Sequence, residues 1–505
     1  MIASKVSGLR LTELSGLAAV ALQVADPEIV GLSADSRTVR PGFLFAALPG
    51  ARLHGRVFAA EAVSRGAVAI LTDDADALDL SRERRERVAI LVDPSPHRRL
   101  ALLAARFYGR QPRTIVAVTG TNGKTSVVHF VREIWTVIGL AAASLGTLGL
   151  VTTAEKRPGT LTTPDPVALH NDLATLATKG IEQVAIEASS HGLHQCRLDG
   201  LAIVAAGFTN LTRDHLDYHG GMADYRTAKY RLFSTLLIPG GTAVLNADSS
   251  EFSRLAPLCR DTGRPVLAYG ADRTADLRIL ARESKGNSQV LLLDILGHRR
   301  RLVLPLAGAF QAMNALAALG LVIATGGSVA AATDALSSLS SVPGRLQFVA
   351  EGGNGGGIVV DYAHTPDALA TVLTTLRSHA PGRLIALFGC GGNRDVGKRP
   401  LMGRVAARLA DRVYVTDDNP RNEEPAEIRR AILAAAPQAV EIADRQEAIA
   451  VAIADTRPGD ILVIAGKGHE TGQIVGDQTH PFDDAAIVRE IVQLAPFAGA
   501  WRTSW

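Results

Sequence analysis

The chain has 505 residues, 47% hydrophobic and 20% charged, with 53 basic against 50 acidic side chains and a formal net charge of +3. That balance argues against nucleic acid or an anionic membrane surface as a partner, and 5% aromatic residues leave little for base stacking. The length corresponds to about three domains, enough chain to bury several cores.

The N-terminal stretch MIASKVSGLRLTELSGLAAVALQV is interrupted by Glu13 and holds no long apolar core, so no signal peptide is expected. No run of about 18 uncharged apolar residues occurs, so no membrane span is expected either. Residues 1–110 contain short strand-like runs and Gly/Pro turns, as in SADSRTVRPGFLFAALPG. A second block, 111–342, opens on the apolar run Ile115 to Val118, and a third, 343–505, begins after Val342-Pro343-Gly344. Gly-rich Glu351 to Gly357 reads as a turn between the first two strands of the third block. Strand, loop and helix alternate through the last two blocks, which implies parallel sheets with helices on both faces. The fold class is therefore α/β in three domains: a smaller N-terminal α/β domain, a central P-loop-type parallel-sheet ATPase domain, and a C-terminal Rossmann-like domain. The three cysteines, Cys196, Cys259 and Cys390, are widely spaced and odd in number. They form no disulfide framework or CxxC site and read as reduced thiols of a cytoplasmic protein.

Several apolar runs stop abruptly at Gly or polar residues. In the second block these are IVAV before TGTNGKT, VAIEA before SSH, and VAAGF before TNLTRDH. In the third they are IVV before DYAHTPD, LIALF before GCGGNRD, VYV before TDDNPR, and ILVIA before GKGHE. Open α/β sheets bind ligands outside the carboxyl ends of their strands. Both sheets are thus expected to carry sites on that edge, and two such edges facing each other would form a cleft.

Gly120, Thr121, Asn122, Gly123, Lys124, Thr125 and Ser126 follow a strand and lead into a helix. Backbone N–H groups in such a loop close around phosphate, and the helix N-terminus adds positive potential. Lys124 can reach the β- and γ-phosphates, and the Thr125 hydroxyl can bind Mg²⁺. The loop is a short variant, because Val118 stands where the full pattern wants glycine. Glu187, at the end of the next strand, and His215, in TNLTRDHLDYH, would face this loop in a parallel sheet. A carboxylate and an imidazole beside a triphosphate suit Mg²⁺, which keeps few protein ligands. Lys229, in DYRTAKYRLF, reads by itself as a solvated helix lysine.

Taken together, TGTNGKT, EASSHGL, TNLTRDHLDYHG, TAKY, DYAHTPDAL, GCGGNRD, DDNPR and GKGHE resemble the Mur ligase superfamily in order from 119 to 470, and ADSR at 34–37 matches too. The similarity is greatest to the members that add meso-2,6-diaminopimelate to the UDP-sugar dipeptide UDP-N-acetylmuramoyl-L-alanyl-D-glutamate in peptidoglycan precursor synthesis. It implies that ATP phosphorylates the substrate carboxylate and that the incoming amine attacks the acyl phosphate, with Mg²⁺ required. It further implies that Lys229 is carbamylated and, with Thr125, Glu187 and His215, holds the metal, so that Lys124, Lys229, Glu187 and His215 are the catalytic set. Asn314, Arg345, Asp361 and His364 would touch the nucleotide. Ala34, Ser36, Ala51, Arg52, Leu53, Leu161, Thr162, Thr163, Ser189, Gln195 and Arg197 would bind the UDP-sugar dipeptide, with Leu161 a departure toward an apolar side chain.

Diaminopimelate differs from lysine by a carboxylate at its far end, and a selective pocket must pair with that charge. Arginine offers a planar fork for the purpose. Asp418-Asn419-Pro420-Arg421 places one at a strand end, with Pro420 restricting the turn. The resemblance adds Arg394, Gly466 and Glu470 to the same pocket. The resulting expectation is a cytoplasmic, monomeric ADP-forming ligase with small-molecule substrates, no nucleic acid and no membrane span. The alternatives are a lysine-adding ligase, which should lack the arginine of DNPR; a folylpolyglutamate-type synthase, which should lack the UDP-sugar stretch; and a P-loop ATPase or kinase that forms no amide bond.

Overall fold

The computed structural model describes residues 8–16, 26–50, 53–212, 214, 216–285, 288–377 and 379–498. The chain divides into two compact units: residues up to 277 with 316–333, and residues 278–315 with 334 onward.

The first unit opens with four parallel strands, Gly31–Ser33, Phe43–Ala46, Ala67–Thr72 and Ala89–Val92, side by side in chain order. Successive side chains point to opposite faces. Leu44, Ala46, Ala69 and Leu71 therefore pack with Leu100, Leu103 and Phe107 of the helix Pro96–Tyr108, while Phe45 and Ile70 join Val39, Ala59 and Ala62 on the other face. The helix starts on proline, whose missing N–H costs nothing there, and stops at Gly109.

A second sheet in this unit runs in the order Lys156–Arg157, Gly149–Val151, Ala142–Gly146, Gln183–Glu187, Thr114–Thr119, Ile203–Phe208, Leu237–Asn246, Val266–Gly270. From Ala142–Gly146 onward the neighbours are parallel, and the first two strands are antiparallel. Ile115 to Val118 are wholly buried, as a strand covered on both faces requires. Thr114–Thr119 lies between Gln183–Glu187 and Ile203–Phe208. The loops that follow these three strands therefore leave one edge side by side.

In the second unit the sheet order is Gln347–Glu351, Gly357–Asp361, Ile461–Ala465, Leu384–Phe388, Arg412–Val415, Val440–Glu441, with only the first pair antiparallel. The expected glycine turn joins the first two strands, closed by the Gly352 N–H donating to the Gly356 carbonyl at 2.8 Å. Strands Leu277–Lys285, Ser288–Ile295 and His298–Leu304 lie next to one another in that order, and Ser288–Ile295 alternates half-buried and buried residues. The parallel α/β class expected from the strand–loop–helix alternation is the fold observed. No helix among the described residues is long and apolar enough to cross a membrane.

Candidate active site residues in each unit

The phosphate-loop sequence lies between the strand Thr114–Thr119 and the helix Lys124–Val137. It is gripped by the adjacent loop after Phe208. The Asn122 N–H donates to Asn210 Oδ1 at 3.0 Å, the Thr209 hydroxyl to the Asn122 carbonyl at 2.6 Å, and the Thr121 N–H to the Asn210 carbonyl at 2.9 Å. Gly120 has φ +148°, and a Cβ there would stand 1.8 Å from Thr209 Oγ1, so only glycine allows the two loops to lie this close.

Lysines 124 and 229 converge on one backbone oxygen. Lys124 Nζ donates to the Gly120 and Thr121 carbonyls at 2.9 Å each, and Lys229 Nζ donates to the same Gly120 carbonyl at 2.8 Å. Lys229 sits on the helix Met222–Arg231 and is buried, with its amine 4.4 Å from the centre of the Tyr225 ring. The solvated helix lysine is thus overturned: the helix turns this side chain beneath the phosphate loop rather than into water. Burial foremost, then the positive charge of Lys124, hold the Lys229 amine well below the ordinary lysine value against the opposing pull of Asp214. The Tyr225 hydroxyl, 3.2 Å from Thr121 Oγ1, is pushed up to about 12 chiefly by burial.

Glu187 is buried at the end of its strand. It accepts from the Thr125 hydroxyl at 3.0 Å, the Thr147 N–H at 2.7 Å and the Thr147 hydroxyl at 3.2 Å. Thr125 and Glu187 thus present adjoining hard oxygen donors at the mouth of the phosphate loop, the ligand type Mg²⁺ takes. Ser126 is buried in the first turn of the same helix. His215 lies outside the described residues, as do Ala51 and Arg52.

The residues expected at the UDP-sugar dipeptide divide into two groups. Thr162, Thr163, Ser189, Gln195 and Arg197 form one network beside Glu187. The Thr163 hydroxyl donates to the Glu187 carbonyl at 2.7 Å and accepts from the Ser189 N–H at 3.0 Å, while Ser189 caps the short helix that follows. Arg197 donates to the Thr163 carbonyl at 2.7 Å and to Gln195 Oε1 at 2.6 Å, and Gln195 reaches the Tyr218 hydroxyl at 3.0 Å. Thr162 and Thr147 lie with hydroxyl oxygens 3.2 Å apart. Leu161, just before Thr162 and Thr163, is an exposed apolar side chain. In the four-stranded part, Ser36 donates to Glu61 at 2.8 Å, Ala34 is exposed, and Leu53 is an exposed apolar side chain.

In the second unit, Asp361, Gly466, the 389–394 loop and Asp418 to Arg421 follow the ends of neighbouring parallel strands. Asp361 is buried and accepts from the Leu346 and Ala363 N–H groups at 2.6 and 2.8 Å. Burial raises its carboxyl group, while Arg345 and those two donors pull it down. The Arg345 guanidinium stacks 4.6 Å over the Tyr362 ring, His364 donates through Nδ1 to the Tyr362 carbonyl at 2.9 Å, and Asn314 donates to Gln311 at 3.0 Å. Arg421, with φ +52°, is fixed by its N–H to the Ile474 carbonyl at 3.0 Å and by its Nη1 to the Gly392 carbonyl at 2.9 Å. Asn419 donates to Glu470 Oε2 at 2.8 Å, while Arg394 is exposed on the loop before it. A Cβ at Gly391 would lie 2.9 Å from Arg421 and 3.7 Å from the Arg394 side chain, so both arginines border the same glycine.

Sequence reasoning passed over Thr147, Asn210, Tyr218, Tyr225 and Lys467. Lys467 stood inside the quoted GKGHE motif, whereas Thr147 lies in SLGTLGL, which carries no chemical signal.

Three family models match the chain: "Mur ligase family, catalytic domain" over residues 28–108, "Mur ligase middle domain" over 118–322, and "Mur ligase, glutamate ligase domain" over 344–468. The UDP-N-acetylmuramoyl-L-alanyl-D-glutamate–2,6-diaminopimelate ligase of Caulobacter vibrioides is 52% identical over 467 residues, 91% of this chain and 95% of the relative. The enzyme of the same name from Mesorhizobium japonicum is 48% identical, covering 95% and 98%. A solved structure of a ligase of that name superposes with a TM-score of 0.71 at 34% identity over 97% of this chain and 99% of the other. A MurF ligase from Thermotoga maritima in complex with ADP shares the fold, with a TM-score of 0.60 at 21% identity over 92% and 96%. On these matches the chain belongs to the Mur ligase family.

Proposed function

We propose that this chain uses ATP to join meso-2,6-diaminopimelate to UDP-N-acetylmuramoyl-L-alanyl-D-glutamate, forming an amide bond and releasing ADP and phosphate. The observation that carries the reading is 52% identity over 91% of the chain with a ligase of that name. Its regions 1–110, 111–342 and 343–505 serve the UDP-sugar dipeptide, ATP and the amino acid respectively.

The chemistry follows from the residues. A substrate carboxylate oxygen attacks the γ-phosphorus of ATP, the bond to the β-phosphate oxygen breaks, and ADP leaves. The amine then attacks the acyl carbon, and the tetrahedral intermediate expels phosphate as the nitrogen loses its proton. Two anions must approach in the first step, so fixed positive charge is needed. Lys124 supplies it: its amine rests on the loop carbonyls, and phosphate oxygens offer it a stronger acceptor. Gly120 to Ser126 surround the phosphates.

Thr125 and Glu187 fit Mg²⁺ and would hold it, and by the family resemblance His215 and a carbamylated Lys229 would be its further ligands. When bound, the ion neutralises phosphate charge and stabilises the transferring phosphoryl group. A charged ammonium at Lys229 would repel it. Burial and Lys124 favour the neutral amine, which attacks CO₂ at carbon and loses a proton to give a carbamate with two oxygen donors. ATP and a nucleotide-linked sugar place the enzyme in the cytoplasm, and a single chain carries every residue named.

The test is a panel of the purified chain with ATP, Mg²⁺, the UDP-sugar dipeptide, and meso-diaminopimelate or L-lysine. Stoichiometric ADP formation that requires both the dipeptide and diaminopimelate is the expected outcome. Turnover with lysine in preference makes the chain a lysine-adding ligase. ADP formation without either acceptor points to an ATPase and refutes amide synthesis.

A further inference from the structure

Lys467 is wholly buried in the second unit, on the loop that leaves the strand Ile461–Ala465. Its ammonium donates to Asn419 Oδ1 at 2.9 Å and to Glu470 Oε2 at 3.3 Å, and lies 3.7 Å from Asp418 Oδ1. The Phe482 ring centre lies 6.0 Å away. The neighbouring Gly468 has φ +56°, and a Cβ there would stand 2.6 Å from the Tyr362 Cβ. The backbone thus bends tightly against Tyr362, and Lys467 turns inward beneath the 418–421 turn.

The arrangement removes an ambiguity in Asn419. A side-chain amide can present either its oxygen or its nitrogen, but a lysine ammonium only donates. Asn419 Oδ1 accepts from Lys467 and also from the Ile474 N–H at 2.9 Å. Its nitrogen must therefore face Glu470 Oε2, 2.8 Å away. Two donors then meet that one oxygen, Asn419 Nδ2 and Lys467 Nζ, and together they fix where it points. The Glu470 side chain remains about one-third exposed. An anchored carboxylate with an accessible face is what an amino-acid ammonium group needs.

We infer that Lys467 is a positioning residue for the amino-acid substrate: it locks the Asn419 amide and holds Glu470 as an oriented carboxylate acceptor. The inference rests on the amino-acid-ligase reading above. It adds a residue that acts through Asn419 and Glu470 without touching substrate. Lys467 also offsets the charge of Asp418 and Glu470, which would otherwise crowd two buried or half-buried anions together.

The test is steady-state kinetics of Lys467→Met, Glu470→Gln and the double variant, with ATP, UDP-sugar dipeptide and diaminopimelate varied in turn. Loss of one charge-assisted contact should raise KM for diaminopimelate about 10- to 100-fold in Lys467→Met. KM for ATP and for the dipeptide should stay within about twofold, because neither is read by this cluster. The double variant should be no worse than Glu470→Gln alone, since Lys467 acts through that carboxylate. Equal losses for all three substrates, or additive effects in the double variant, overturn the inference. If Lys467→Met does not fold, Lys467→Gln, which keeps a donor toward Asn419, is measured in the same way, and failure of both to fold makes Lys467 a folding residue and also overturns it. The wild-type arm separates the two levels. If the wild type forms product with diaminopimelate but KM is unmoved in the variants, only the role of Lys467 fails. If the wild type does not use diaminopimelate, the ligase reading fails and takes this inference with it.

Discussion

Arg421→Ala tests the amino-acid assignment most directly. The Arg421 backbone is pinned by its N–H to the Ile474 carbonyl and its carbonyl to the Gly476 N–H, at 3.0 and 2.8 Å. Its Nη1 is occupied by the Gly392 carbonyl at 2.9 Å and, more weakly, by the Asn419 carbonyl at 3.4 Å. Within this unit and among the described residues, Nε and Nη2 have no protein acceptor, which leaves one edge of the fork for a carboxylate. Alanine keeps a Cβ, so the strain of φ +52° is the same before and after the change. The effect on turnover therefore reports the guanidinium. Losing a hydrogen-bonded charge pair costs about 2–5 kcal/mol, or roughly a 30- to several-thousand-fold fall in kcat/KM for diaminopimelate. Lysine has no second carboxylate, so its kcat/KM should hardly change and the preference between the two amines should collapse. The assay is coupled ADP release with each amine, alongside nucleotide affinity measured without either. An unchanged diaminopimelate-to-lysine ratio, or an equal fall for both amines, would refute the role given to Arg421.

Other residues make independent tests. Protein equilibrated with ¹³C-bicarbonate should show a carbamate ¹³C resonance that disappears in Lys229→Met; its persistence in the variant would place the modification elsewhere. The buried His170, whose Nε2–H donates to the Asp199 carbonyl at 3.2 Å, is lowered from the ordinary 6.5 to about 4 by burial. The unfolded chain takes up this proton first as pH falls, so the contribution to stability is complete above 6.5 and is lost on the way down to about 4. Urea titrations should show up to about 3 kcal/mol of pH-dependent stability over that window, absent in His170→Gln; identical pH slopes would contradict it. Arg445 and Asp484 are both wholly inaccessible and joined by two contacts of 2.8 Å, and Arg445 also donates to the Ala465 carbonyl at 3.0 Å. Asp484→Asn strands a buried guanidinium and should cost about 3–5 kcal/mol, read as a lowered denaturation midpoint; a shift under about 1 kcal/mol would show that the pair is not desolvated as the structure has it.

Much of the site was readable from the order of residues. An apolar run that stops at Gly or Asp marks a strand end, and alternation with helices makes neighbouring strands parallel. From these two facts TGTNGKT, EASSHG and TNLT were expected on one edge, and the sheet sets Thr114–Thr119 between the other two strands. The burial of Lys229 was not readable. Its helix, MADYRTAKYR, has polar residues on every face, so no apolar stripe tells which side turns inward. The grip of Thr147 on Glu187 was equally hidden, because the two lie 40 residues apart and the contact depends on sheet order. Lys467 was quoted within its motif, but its burial beneath Asn419 depends on the bend of the following glycine and on the 418–421 turn from another strand.

The amino-acid sequence alone determined the α/β class, the strand ends that carry polar loops, and the chemical types available there. These follow from periodicity and side-chain chemistry, which act over a few residues. The tertiary structure decided which amines share a carbonyl, which way the Asn419 amide faces, and which cations lose their water. Those outcomes depend on desolvation and on donors brought together from distant segments, and no local pattern in the chain encodes them.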